Sequence, residues 1–418
     1  MSLSASQKSI IKASIPFLEK NGVELTSNFY SFMLENHPEV RPFFNKAHQI
    51  SKAQPKILAF SLNAYAKNID DITPLKGFVR QIVEKHVGLQ VKPQHYDIVG
   101  SCLLQTMKKM LGDAATDEFI EAWKVAYYDL ANILIQLEKE RYAEELQQLK
   151  NSWPGFADAH VDKIVQETPL IKSVYFKLDD EKATISDFYP GQYIGLRLST
   201  DGGETFQSRE YSISNELEGP SSIKSSNSFR ISVKRIEGGV VSNYIHDTLK
   251  VGDKLRITSP FGKLTEPWLK STDETERAKP VNVFVGGIGI TPNVSITEHF
   301  LKMGNPVKLF LSNADINSRV FGQWVSRISE QYPKQLQVKE FITEPAATDL
   351  QTSANHQIHY GRRLEQQDLD FITKENVNDF QYFMVGPVPY MQFLHEILGS
   401  KGVNPNVINS EEFAPVHV

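Results

Sequence analysis

The order of hydrophobic and polar positions divides the chain into three parts. In residues 1–150 apolar side chains recur every three or four positions, as in Leu25, Phe29, Phe32 and Met33, which is the spacing of one face of an α-helix. Prolines fall between such segments, where a missing backbone N–H does little harm. This part is predicted to be an all-α domain.

Short strand patterns separated by turns follow in residues 155–270. Their spacing predicts a small antiparallel β-barrel. The strand-like runs are 171–178, 192–198, 229–233 and 255–258, with turns at Pro190-Gly191 and Gly252-Asp253. The serine-rich stretch 218–228 is predicted to be a solvated hairpin loop.

Strand patterns alternate with helical stretches in residues 278–418. Such alternation predicts a parallel sheet with helices on both faces. The buried-type runs are 281–285, 307–311, 337–341 and 382–385, and the charged segment 271–279 is predicted to link this part to the barrel. The fold class is therefore multidomain, with an all-α domain, a β-barrel and a parallel α/β domain.

Composition narrows the class of protein. A formal net charge of -5 over 418 residues argues against a nucleic-acid surface, and no apolar run reaches the length of about 20 residues that a membrane span needs. The single cysteine, Cys102, excludes an internal disulfide and fits a reducing compartment. We expect a monomer without stable membrane association.

The first eighteen residues contain Lys and Ser but no acid, a pattern faintly typical of mitochondrial transit peptides. Ile10, Ile11, Ile15 and Leu18 fall on one helical face, however, and we interpret the segment as a first core helix. The expected location is the cytoplasm, with the mitochondrial matrix as a second location.

The barrel region carries a motif suited to a flavin, Arg209-Glu210-Tyr211-Ser212. A guanidinium can bind a pyrophosphate through two hydrogen bonds, and an aromatic ring can pack on an isoalloxazine. Gly238-Gly239 ahead of Ser242 could hold a phosphate at a helix start. Four residues of this type also occur by chance on surfaces, but Tyr193, after the turn at Pro190-Gly191, favours the flavin interpretation.

A glycine-rich loop follows the first strand of the parallel region. Glycines there let a backbone approach a pyrophosphate closely, and a proline suits the first helical turn. The loop residues are Gly287, Ile288, Gly289, Ile290, Thr291 and Pro292, and a second loop carries Gly386-Pro387. A turn that binds nothing is the alternative. Together the two regions resemble ferredoxin-reductase modules, although Val385 stands where that family usually has Cys, which puts a thiol contact in doubt.

The helical region contains His86 on a predicted short helix, with Tyr30, Phe44 and Gln54 earlier in the chain. A haem site needs an axial imidazole, an apolar pocket and a polar group over the bound gas. Taken singly, these residues could equally be a solvated histidine, core aromatics and a surface amide. Their order along the chain favours the haem site.

The segments Leu25 to Tyr30, Phe43 to Asn45, Gln54 to Leu58, Lys85-His86 and Lys92 to Tyr96 resemble the globin domain of flavohaemoglobins. The resemblance covers essentially the whole chain. It implies haem b, FAD and NAD(P)H as cofactors and nitric oxide dioxygenase activity, with NO and O2 as small-molecule partners and detoxification of nitrosative stress as the role.

The resemblance also implies roles for residues. His86 would be the proximal iron ligand, hydrogen-bonded by Tyr96 and Glu138, with Lys85 tuning the haem potential. Tyr30, with Gln54 nearby, would donate a hydrogen bond to the bound gas, while Phe44 and Leu58 would contact the haem. Flavin contacts would come from Tyr193, Arg209, Glu210, Tyr211, Ser212, Gly239 and Ser242, and the tail Glu412, Phe413, Ala414 and Pro415 would cover the flavin. Glu412 stands where family members often have Cys.

Two alternatives remain open from the residues. The chain could be a haem-based gas sensor or oxygen carrier with a built-in reductase, or a flavin reductase whose helical domain binds a partner and holds no haem. The choice between NADH and NADPH is also open. Arg319 could meet a 2′-phosphate, but a solvated loop arginine is the simpler interpretation.

Overall fold

The N-terminal part of the chain is helical, as predicted. The computed structural model describes residues 3–44, 49, 52–148, 151–180, 187–202, 206–345 and 353–413. The helices are α1 Ala5–Ala13, α2 Ile15–Asn36, α3 Ala53–Lys67, α4 Lys76–Leu89, α5 Pro93–Leu111 and α6 Asp117–Gln148. Ser4 caps α1 by accepting a hydrogen bond from the Gln7 backbone. Pro93 is the first residue of α5, a position whose backbone N–H makes no hydrogen bond within a helix, so proline is tolerated there.

The buried face of α2 differs from the prediction at one position. Leu25, Phe29 and Met33 are fully buried, whereas Phe32 is 37% exposed. The buried stripe is centred between Phe29 and Met33, so a residue one position before Met33 lies at its edge.

The middle part is an antiparallel barrel, as predicted. Its sheet has the order β4-β3-β6-β1-β2-β5, and a bridge between Ile213 and Ile231 joins its two edges. The strands are β1 Phe156–Thr168, β2 Ile171–Leu178, β3 Tyr193–Ser199, β4 Phe206–Ser212, β5 Phe229–Lys234 and β6 Lys254–Thr258, and the short helices are α7 Ile223–Ser226, α8 Val240–Asp247, α9 Glu266–Leu269 and α10 Glu274–Arg277.

The serine-rich stretch 218–228 is not the solvated loop that composition predicted. Ser221, Ser222 and Ser228 are buried. The amide of Asn215 donates to the backbone oxygens of Ser221 and Ser228. These polar residues can be buried because hydrogen bonds within the loop satisfy the polar groups. Composition does not reveal such hydrogen bonds.

The C-terminal part is a parallel sheet with helices on both faces. The strand order is β10-β9-β8-β7-β11-β12, and α11 and α12 pack on one face while α13 packs on the other. The strands are β7 Val281–Gly286, β8 Val307–Asn313, β9 Leu336–Ile342, β10 His356–Tyr360, β11 Gln381–Gly386 and β12 Ile408–Glu412, and the helices are α11 Ile290–Lys302, α12 Gly322–Gln331 and α13 Val388–Ser400. Within the described residues, no helix combines the length and apolarity of a membrane span.

Candidate active site

His86 lies near the end of α4 with one ring nitrogen already bound. Its Nδ1 atom is 2.7 Å from Oε1 of Glu138 and 2.9 Å from the Tyr96 hydroxyl. Tyr96 also donates to Glu138, and both partners are buried. A carboxylate can only accept, so Nδ1 carries the proton and Nε2 keeps its lone pair. Among the described residues Nε2 has no hydrogen-bond partner, which fits an axial iron ligand.

Tyr30 lies in a separate apolar cluster. Its ring packs edge-on against Phe44, with 5.5 Å between the centroids, and Leu58 belongs to the same cluster. Burial raises the pKa of Tyr30, so the hydroxyl stays a donor. No described residue hydrogen-bonds to it. Gln54 accepts a hydrogen bond from Gln49 at 2.7 Å rather than from Tyr30.

The apolar interior of the helical domain is divided between two clusters. One contains Tyr30 with Phe44 and Leu58, and the other contains Tyr96 with Val83 and Val87 from the His86 helix. The two clusters share only partly buried contacts. A free imidazole nitrogen beside one cluster and an unpaired phenol in the other fit a flat haem.

The flavin motif lies on β4 with its residues alternating between faces. Tyr193 pairs with Ser212, and Tyr211 packs against the barrel core. Arg209 donates to the Ser208 carbonyl and forms no ion pair with a described residue, while burial lowers its pKa. A partly buried guanidinium that has hydrogen bonds to Ser208 and Gln207 but no carboxylate partner among the described residues fits a pyrophosphate ligand.

A loop of the barrel just before α8 contains two glycines of the predicted flavin site. Gly238 has a φ of 68°, which favours glycine, and Gly239 precedes the helix. The hydroxyl of Ser242 accepts a hydrogen bond from the Ile236 backbone. The loop therefore has the form of a phosphate-binding turn.

The nucleotide loop leaves β7 and turns into α11 through Gly287–Gly289. Gly287 has a φ of 54°, and a Cβ there would meet nothing within 4 Å, whereas a Cβ on Gly289 would collide with the Val385 carbonyl. One glycine thus leaves room for a ligand and the other lets the loop pack on β11. The other loop residues Ile290, Thr291 and Pro292 are buried, and Ile288 is partly buried.

The second loop of this lobe lies beside the first. A Cβ on Gly386 would come within 3.1 Å of the Gly286 Cα atom and 2.8 Å of the Tyr390 ring. Pro387 caps α13. Val385, at the position of the family's Cys, is fully buried, and its aliphatic side chain offers no thiol.

The predicted tail is described only in part. Glu412 ends β12, and Phe413 is 44% exposed. Ala414 and Pro415 lie outside the described residues. Their predicted contact with a flavin stays a prediction.

Relatives of the chain match over almost its whole length. Flavohemoproteins of Schizosaccharomyces pombe and Candida albicans are 43% and 41% identical to it, over 99% of this chain and 92% and 97% of theirs. One from Pseudomonas putida is 38% identical over 99% of this chain and 98% of its own. The chain belongs to the flavohaemoglobin family.

Family models and a solved structure agree with this assignment. The Globin model matches residues 27–134 and the oxidoreductase FAD-binding domain matches residues 158–265. A flavohemoglobin from Malassezia yamatoensis superimposes with a TM-score of 0.78 at 23% identity, covering 99% of this chain and 100% of that one. The predicted fold class is confirmed. As a flavohaemoglobin, the chain is an NAD(P)H-dependent oxidoreductase with haem and FAD as cofactors.

The structure adds a junction in this flavohaemoglobin that sequence reasoning missed. Lys85 Nζ is 2.8 Å from Oε2 of Glu210 in the barrel, and the Glu210 charge, followed by that of Glu411 in β12, raises the pKa of Lys85 against the effect of burial. Burial raises the pKa of Glu411 to about 7. Lys85 and Glu210, both predicted site residues, are therefore joined to each other.

A second missed cluster surrounds Arg141 on α6. This guanidinium is 4% exposed and lies 2.9 Å from Glu84 on α4 and beside the buried Glu145. Glu144 in turn is 3.0 Å from Lys263 of the barrel. Charged residues three and four positions apart on a long helix usually lie on its solvated face, so nothing local indicated a buried cluster.

Arg319 is not the solvated loop arginine that we considered simpler. Its Nε and Nη2 atoms lie 2.7 and 2.8 Å from the two carboxylate oxygens of Glu340, which is fully buried. His356 lies 2.6 Å from the same carboxylate. The bidentate pair forms because β8 and β9 are neighbours, which the sequence alone does not show.

Proposed function

We propose that this flavohaemoglobin is a nitric oxide dioxygenase that detoxifies nitric oxide. In the balanced reaction, two NO and two O2 consume one NAD(P)H and give two nitrate ions, NAD(P)+ and one proton. Bound FAD would accept hydride and release single electrons, and haem iron would supply the centre at which the gases react. The protein's share is positioning, hydrogen bonding and exclusion of water.

In the helical domain, His86 would hold the iron through Nε2. Glu138 accepts a hydrogen bond from Nδ1–H of His86, which makes the imidazole a stronger electron donor. On the opposite side, Tyr30 would present its unpaired hydroxyl to the oxygen, with Phe44 and Leu58 excluding water. Gln54 would act nearby.

In the reductase part, Arg209 would bind the FAD pyrophosphate, and Tyr193 and Tyr211 would pack on the isoalloxazine. Ser212, Gly239 and Ser242 would supply hydrogen bonds. The loop residues 287–292 and Gly386-Pro387 would hold the nicotinamide nucleotide, and Glu412 to Pro415 would cover the flavin. We further infer domains at 1–150, 155–270 and 278–418.

One observation carries the proposal: a buried phenol with no hydrogen-bond partner among the described residues and a carboxylate-bound imidazole lie in one helical domain, directly beside a flavin-type barrel. A donor over the bound gas serves oxygen binding as well as oxygen chemistry. The reductase barrel beside it favours the dioxygenase, because turnover of NO requires the iron to be reduced again after each reaction.

Aerobic NO consumption by the holoenzyme tests the proposal. Tyr30→Phe should slow consumption by about tenfold or more, the usual effect of removing a donor in a water-excluded site. Tyr128→Phe on α6 removes the same hydroxyl outside the site and should leave the rate unchanged. Equal rates for Tyr30→Phe and wild type would refute the assigned role.

The amount of NAD(P)H consumed per NO added distinguishes the dioxygenase from the sensor or carrier alternative. A dioxygenase consumes NAD(P)H in proportion to added NO and forms nitrate, turnover after turnover. In a sensor or carrier whose reductase only keeps the iron ferrous, NAD(P)H use would be slow and would lag behind the added NO.

A further inference from the structure

The helix that carries His86 packs very closely on the flavin barrel. A Cβ on Gly195 of β3 would come within 2.7 Å of the Gly88 carbonyl, and a Cβ on Gly88 would collide with the Glu210 carboxylate and approach the Tyr193 ring to 3.1 Å. The backbone of α4 therefore lies directly against β3 and β4. Its last turn is fixed there by contacts with no spare volume.

Glu210 lies at the centre of this contact. Its side chain is 17% exposed, and its Oε2 atom accepts a hydrogen bond from Lys85 at 2.8 Å. Its Oε1 atom is buried without a hydrogen-bond partner among the described residues and faces Gly88. Among the described residues Lys85 is the cation that pairs with this carboxylate, and moving it away would leave a mostly buried charge unpaired, which is costly.

Strand alternation separates Glu210 from its neighbours in the flavin motif. Successive side chains of a strand point to opposite faces, and Tyr211 packs into the barrel core. Glu210 points instead to the helical domain, where Lys85 meets it. The motif therefore presents residues to two different partners.

We propose that Glu210 is a positioning residue for electron transfer from flavin to haem. Through Lys85 and Gly88 it sets where α4, and with it His86, lies against the barrel. In each transfer one electron would pass from bound FAD to haem iron, and Glu210 itself would be neither oxidised nor reduced. The inference rests on the electron route of the proposed function.

Anaerobic mixing of oxidised holoenzyme with NADH, without NO, tests the proposal. Glu210→Gln keeps the shape of the side chain but removes its charge. We expect the rate of haem reduction, divided by the rate of flavin reduction in the same sample, to fall about fivefold, as expected when an interfacial charge pair is lost. The midpoint potentials of flavin and haem are measured in the same variant, and slowing beyond what their change in driving force explains is the signature of positioning.

Glu218→Gln is the matched control. Glu218 also forms an ion pair between the barrel and another part of the chain, 3.0 Å from Lys302 at the end of α11, but on the nucleotide side. Its removal should leave haem reduction unchanged. A wild-type rate in Glu210→Gln, or equal slowing in both variants, would overturn the proposal.

A charge swap and an exchange measurement complete the test. Glu210→Lys combined with Lys85→Glu should recover more than half of the rate that Glu210→Lys alone loses; failure to recover any would count against the pairing. Hydrogen exchange of the α4 amides after Lys85 should rise in Glu210→Gln only. Normal electron transfer without NO consumption would refute the dioxygenase proposal and leave this one standing.

Discussion

The Oε1 atom of Glu138 lies 2.7 Å from Nδ1 of His86, and Tyr96 donates to the same oxygen. This carboxylate is 3% exposed, so water weakens the interaction little. The imidazole is thus oriented and made electron-rich before any ligand reaches Nε2.

Replacing Glu138 by Gln should therefore shift the haem to a more positive potential, by roughly tens of millivolts, because a neutral amide supports less negative charge on the ring. Potentiometric titration of the haem measures the shift. Glu140→Gln, an exposed position two residues along α6, serves as the control. An unchanged potential in Glu138→Gln would mean that the carboxylate only orients the ring.

Gly88→Ala should destabilise the protein, against the rule for helices. In a free helix this change stabilises by about 1 kcal/mol, but here the methyl group would collide with the Glu210 carboxylate. We expect a lower Tm and slower haem reduction. Gly77→Ala on the same helix has nothing within 4 Å of the new methyl and should be neutral or stabilising. Equal effects of the two substitutions would contradict the packing.

His299→Phe should flatten the acid side of the stability profile. Burial against Trp268 and Phe300 lowers the pKa of His299 to about 4, with Arg277 and Lys302 adding to the shift. The folded pKa lies below the unfolded value of about 6.5, so stability is full above pH 6.5 and falls as the pH drops through 4. The loss is up to about 3 kcal/mol.

Thermal unfolding at several pH values between 7.5 and 4 measures this effect. As the pH falls, the free energy of unfolding should decrease less in His299→Phe than in the wild type. His395→Phe removes an exposed histidine on α13 and should follow the wild-type curve. Parallel curves for His299→Phe and wild type would show that His299 does not take up a proton on unfolding.

Replacing Arg209 by Ala should weaken FAD retention more than replacing it by Lys. The guanidinium has no acidic partner among the described residues and can bind a pyrophosphate through two hydrogen bonds, whereas an ammonium acts as a point charge. The ratio of flavin to protein after gel filtration measures retention. Full flavin content in Arg209→Ala would show that Arg209 does not bind FAD.

The order of residues along the chain predicted His86, Tyr96 and Glu138 because the family resemblance fixed their roles, and the structure places them in contact. Periodicity predicted the long helices because each buries one face, and continuous apolar runs predicted the central strands β7 and β11 because both of their faces are buried. The polar strand β12 carries no such pattern, because it lies at the sheet edge beside β11. The strand β12 forms because it pairs with β11.

Charged pairs between distant segments could not be predicted. Lys85 and Glu210 are 125 positions apart, and their meeting depends on how the helical domain docks on the barrel. Arg319 lies in the loop after β8 and meets Glu340 of β9, the strand that pairs with β8. Local composition suggests solvated charges in both cases, and only tertiary structure shows which are buried.

The most direct test of the account is anaerobic reduction of the holoprotein by NADH, followed at the flavin and Soret bands. We expect flavin bleaching followed by haem reduction in wild type. In His86→Ala the flavin should still be reduced and pass electrons to ferricyanide, while the normal haem signal is lost. Wild-type haem reduction in His86→Ala, or a Soret band in the native protein that never responds to NADH, would contradict the account.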